Sequence, residues 1–138
     1  MEEMTLSQWT VNFVKTKDVF QRKLLDYKEN GDTIIFNFKD GPQAFLIKSI
    51  LDAAVVKFAS EKGARKVVCS SDQANLKFLI SNWKSFAGNP HLTFIFVRLS
   101  DNAKWLINPY VHSRVCDDEA LVLGLNSMYS SAFQAQDY

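Results

Sequence analysis

Residues 33–69 read TIIFNFKDGPQAFLIKSILDAAVVKFASEKGARKVVC, and the parsing of this stretch decides the fold. Thr33–Lys39 has the period of a strand, with Ile34, Phe36 and Phe38 on one face. Pro42–Glu61 is apolar over a long run, from Phe45 through Ile50 and Val55 to Ala59, which predicts a helix over 42–61. Asp40 with Gln43 has the spacing of a capping box for that helix, since each side chain can satisfy a free N–H group. Lys66–Cys69 is short and apolar on both faces, as a central strand is. Strand, helix and strand in succession make a crossover, which predicts parallel strands joined in the right-handed sense.

The same signals extend outward. Thr5 with Gln8 opens a first helix, expected to run from about Leu6 to Glu29; alternation over Trp9–Lys15 offers a strand as its rival. Ser70 with Gln73 opens a helix over Asp72–Phe86, with Leu76, Leu79, Ile80 and Trp83 inward. Leu92–Leu99 and Lys104–His112 read as strands joined by Ser100-Asp101-Asn102-Ala103, where Asn102 tolerates a left-handed turn. Pro109 assigns the second of them to a sheet edge. Asp117–Phe133 is a final helix, and residues 134–138 read as a frayed tail. Gly31, Gly63 and Gly88 each follow a periodic segment and read as helix stops.

The order is therefore α-β-α-β-α-β-β-α. It predicts an α/β three-layer sandwich on a mixed four-stranded sheet, three strands parallel and the fourth closing an antiparallel hairpin. With 138 residues, 47% of them hydrophobic, the chain suits one globular domain rather than a disordered segment. Met1-Glu2-Glu3-Met4 is acidic where a signal peptide is basic, and no apolar run approaches a membrane span. Cys69 and Cys116 form no C-x-x-C pair, which favours free thiols and the cytoplasm.

Charge is unevenly spread. Residues 65–114 carry seven basic side chains against Asp72 and Asp101, while residues 115–138 carry four acidic ones and no base. Either the middle segment meets an anionic partner, or the C-terminal helix covers it within the monomer.

Three functional readings follow. The favoured one is a non-catalytic binding or assembly domain that self-associates, as a dimer in the first instance, through the 42–61 helix. Such a helix has too narrow a polar stripe (Lys48, Ser49, Asp52, Lys57, Ser60) to be covered on one side only. The second is nucleic-acid binding by Lys77, Lys84, Arg98, Lys104 and Arg114, with Trp83, Trp105 and Tyr110 as stacking candidates. Against it, Trp83 fits a core face and the net charge is modest. The third is a small-molecule enzyme with its site at the carboxyl ends of the parallel strands, gathering Asp40, Gly41, Ser70, Ser71, Asp72 and Arg98, with Asp40, Asp72 and Arg98 as acid, base or anion anchor. The plainer reading is that Asp40, Ser70 and Asp72 simply start helices.

No G-x-G-x-x-G or P-loop is present, so no nucleotide cofactor is expected. His112 and Cys116 are spaced for a zinc pair or a thiolate nucleophile, but two more ligands are missing, and no metal is expected.

Overall fold

The computed structural model describes residues 4–61, 63–115 and 117–133. Helix α1 (Leu6–Asp18) begins with the capping box of Thr5 and Gln8. Three strands follow, β1 (Leu24–Asn30), β2 (Thr33–Phe38) and β3 (Gly41–Ile47). The rest is α2 (Ala53–Ser60), β4 (Arg65–Ser70), α3 (Gln73–Ser81), α4 (Trp83–Ala87), β5 (Leu92–Arg98), β6 (Ala103–Ile107), α5 (Pro109–Val115) and α6 (Asp118–Ala132). The strands form one mixed sheet of six, in the order β1-β2-β3-β4-β5-β6. The α/β class is as the sequence implies; the four-stranded sheet is corrected to six.

The decisive stretch divides differently from the expectation. Residues 41–47 are a strand, and the helix is confined to Ala53–Ser60. The apolar circumference read for a 42–61 helix belongs to a strand buried on both faces. Leu46 packs into the core beneath α2, α3, α4 and α6, and Phe45 and Ile47 into the core beneath α1. A side-chain period of two, continued by a short helix, imitates a long apolar helix.

β2 pairs antiparallel with β3, so it is not one of the parallel strands. The parallel set is β3, β4 and β5, flanked by antiparallel β2 and β6. The first helix stops at Asp18, whose carboxylate accepts the backbone N–H groups of Lys23 and Leu24 at 2.9 Å each. The two-residue turn Gly31-Asp32 then joins β1 to β2, with Gly31 at φ 63°. Gly31 is thus a hairpin residue and not a helix stop.

The 72–86 helix breaks at Asn82 into α3 and α4. Its cap is Asp72, which accepts from the Ala74 N–H at 2.8 Å, while Ser70 ends β4. The 104–112 strand ends at Ile107: Pro109 begins α5, and the Asn108 carboxamide oxygen accepts the Val111 N–H at 3.1 Å. Proline at a first helical position needs no N–H partner.

The two faces of the sheet are covered unequally. α2, α3, α4 and α6 bury a core with Val67, Cys69, Phe94, Phe96 and Trp105, and α5 packs beside α4 through His112 and Trp83. Among the described residues the other face carries α1 alone, over Ile34, Phe36, Phe45, Val68, Ile95 and Val97. One helix cannot cover six strands, and clefts open on both of its flanks.

Candidate functional site

The six residues expected on one rim are divided between opposite ends of the sheet. Asp40 and Gly41 form the β2–β3 turn, at the amino end of the parallel strands, where Asp40 pairs with Lys23 at 2.9 Å. Ser70, Ser71, Asp72 and Arg98 lie at the carboxyl end. The reason is topological: an antiparallel β2 sends its following loop to the opposite edge.

At the carboxyl end the polar groups satisfy one another. The Ser49 and Ser70 hydroxyls lie 2.9 Å apart, and Asp72 caps α3. Asn75, fully buried, donates to the Ser49 and Ser70 carbonyls at 2.8 and 2.9 Å and accepts from the Leu51 N–H at 2.8 Å. It ties the loop before α2 to the loop before α3. The sequence shows Asn75 only as a polar position inside a helix.

Arg98 is held twice. Its guanidinium donates to both carboxylate oxygens of Asp101, at 3.0 and 2.8 Å, and to the Phe133 carbonyl at 3.1 Å. Those bonds, with the Ala103 N–H, hold the Asp101 carboxyl down to about 2. The clamp is therefore fully present above the ordinary carboxylate range near 4 and is lost only as pH falls through about 2. An NMR titration of the Asp101 carboxyl should have its midpoint near 2, and in an Arg98→Ala variant the midpoint should rise toward the ordinary value of about 4, held short of it by the remaining Ala103 N–H. The contact to Phe133, with Tyr129 against Phe96 and Trp105, places the carboxyl end of α6 on this hairpin through a backbone carbonyl and aromatic rings, not through its acidic side chains.

The basic residues proposed for nucleic acid occupy different surfaces. Lys77 and Lys84 are exposed on α3 and α4, Arg114 stacks on Tyr110 within α5, and Lys104 emerges on the α1 face of the sheet. Trp83 and Trp105 are core residues at 6% and 7% exposure, so neither offers a stacking surface. His112 lies beside Trp83, and Cys116 lies outside the described residues. Cys69 is buried, and burial pushes its thiol far up. Among the described residues no group of three or more His, Cys, Asp and Glu side chains is placed to hold a metal ion. No helix there is long and apolar enough to cross a membrane.

A groove of about 590 Å³ lies between α1 and the β5–β6 turn. Its wall on α1 is a stacked pair, Trp9 on Phe13, with centroids 4.8 Å apart and planes 13° from parallel. Trp9 is fixed by donating its indole N–H to the Asn102 carboxamide at 2.6 Å, and Asn102 holds the turn at φ 61°. Two ammonium groups address the Phe13 ring, Lys17 at 5.2 Å and Lys104 at 5.9 Å. Met4 and Leu99, 46% and 40% exposed, complete an apolar rim. Asn12, Thr16 and Ser100 add hydrogen-bonding groups. Sequence reading singled out Lys104 here, but nothing local connects Trp9 with a turn ninety-three residues away.

No protein-family model, curated protein or solved structure matches the chain.

Proposed function

We propose that this chain is a non-catalytic binding domain that holds a small organic anion with a flat apolar body in the groove between α1 and the β5–β6 turn. The observation that carries this is the Trp9–Phe13 stack with Lys17 and Lys104 over its outer ring. A flat apolar ligand meets the half-buried Phe13 ring together with Met4 and Leu99, Trp9 at 5% exposure backing that ring from the core, and the ammonium groups complement its charge. The volume is that of a small-molecule site, not of a protein-sized interface. Self-association through residues 42–61 is not part of this reading, because their apolar surface is used within the sheet and under α2. We take the compartment to be the cytoplasm, a reading supported by the free, buried thiol of Cys69.

Fluorescence titration with 1-anilinonaphthalene-8-sulfonate tests the proposal, with N-phenyl-1-naphthylamine as its uncharged counterpart. Saturable binding of both dyes is expected. Lys104→Gln should weaken the sulfonate about fivefold, as loss of one exposed charge contact does, and leave the amine unchanged. Equal effects of Lys104→Gln on both dyes, or none on either, overturn the assignment of charge recognition to this groove.

A further inference from the structure

On the other flank of α1, a second cleft of about 210 Å³ is lined by Lys17 and Gln21 of the α1 side and by Phe38, Gln43, Phe45 and Lys66 of the sheet. Lys66 is half-buried on the central strand β4, between Phe45 of β3 and Thr93 of β5 in the ladder. Its Nζ lies 5.4 Å from the centroid of the Phe45 ring. Among the described residues Lys66 forms no ion pair with a carboxylate. Asp18 also lines the cleft, but one of its oxygens accepts the Lys23 N–H and the other the Leu24 N–H.

An inward ammonium on a sheet face is costly unless it is paired. Here a second cation shares the cleft instead of an acid. Desolvation holds the Lys66 ammonium below the ordinary amine value, and the Lys17 charge adds to the effect in the same direction. A structural lysine would be expected to snorkel to water or to find a carboxylate.

We propose that this cleft is a binding site for a small oxyanion, the carboxylate or phosphate group of a small molecule, held between the Lys66 and Lys17 ammonium groups. The Gln21 and Gln43 carboxamides stand at its margin as hydrogen-bond donors, and the half-buried Phe38 receives whatever apolar part the molecule carries. The site lies on the opposite flank of α1 from the groove proposed above and shares Phe13 and Lys17 with it, while Lys66 belongs to this cleft and Lys104 to the groove.

The test uses the full chain with sodium benzoate and inorganic phosphate as probes, ionic strength being matched with chloride. At ten times its Kd, at least one of them should raise Tm by about 4 °C. The same anion should protect Lys66 from acetylation by acetic anhydride, read by mass spectrometry against the exposed Lys28. Lys66→Met keeps the alkyl stem against Phe45 and removes the unpaired charge. It should raise Tm by a few degrees without ligand and abolish the response to the anion. Lys104→Gln should leave this response intact, so failure here and failure of the groove reading are distinguishable. No shift and no protection with either probe overturns the proposal, as does a response that survives in Lys66→Met. Should that variant not fold, protection of Lys66 in the unaltered chain decides alone.

Discussion

Replacing Asn75 with alanine should destabilise the domain by about 2–4 kcal/mol, although Asn75 lies on a helix and touches no cleft described above. The side chain is wholly buried and makes three hydrogen bonds, all to backbone. Alanine leaves the Leu51 N–H without its acceptor, and the Ser49 and Ser70 carbonyls lose a donor. An unsatisfied buried backbone group costs about 1–3 kcal/mol, and the Ser49 carbonyl keeps partial compensation from the Ser70 N–H at 3.2 Å. Denaturant unfolding measures the loss. Faster hydrogen exchange at the Leu51 amide locates it, because that amide alone loses its only acceptor among these three. Asn75→Asp has nearly the same shape and keeps the acceptor. Its carboxylate would face two carbonyl oxygens, so at neutral pH it should be at least as damaging as alanine. A variant within about 0.5 kcal/mol of the parent would show that the two loops hold without this tie.

How much of this architecture is legible in the sequence depends on which signals are local. The Thr5–Gln8 box, the β4 and β5 strands, the left-handed Asn102 and the α6 helix begun by Asp117 all appear as read. Each is set by neighbours a few residues away. The 41–47 strand is different, because a continuous apolar run is compatible with a buried strand or a buried helix. The deciding signs are the two-residue turns Gly31-Asp32 and Lys39-Asp40, at which Gly31 within the first and Gly41 just after the second take a positive φ, 63° and 129°. Read as helix punctuation, they conceal β1 and reverse β2. Two residues, Lys39 and Asp40, separate β2 from β3, far too few for a parallel crossover of a dozen or more. The groove and the Lys66 cleft could not be read at all. They exist because α1 lies across strands distant in sequence, and helical period alone does not say which strands those are.

The second large effect follows from that reversed strand. Phe45→Ala should cost about 3–5 kcal/mol, the range for removing a buried aromatic side chain and leaving a cavity. Phe45 is 1% exposed and sits where β2, β3, β4 and α1 meet. Its ring stands edge-on to Phe36 of β2, centroids 4.9 Å apart and planes at 68°. In the antiparallel register Ile34 lies opposite Phe45 and Phe36 opposite Gln43, so the two rings meet across a diagonal of the β2–β3 ladder. Had residues 42–61 been a helix, Phe45 would instead lie on a rod packed across the sheet. A double-mutant cycle between Phe36 and Phe45 separates these arrangements. Direct ring contact should give a coupling of about 1 kcal/mol, whereas residues without a shared contact add within about 0.5 kcal/mol. Phe45→Leu refills part of the cavity and should recover part of the loss. It keeps an apolar floor for the Lys66 cleft but removes the ring beneath the ammonium. Strict additivity of Phe36→Ala and Phe45→Ala would remove the direct contact of the two rings across β2 and β3.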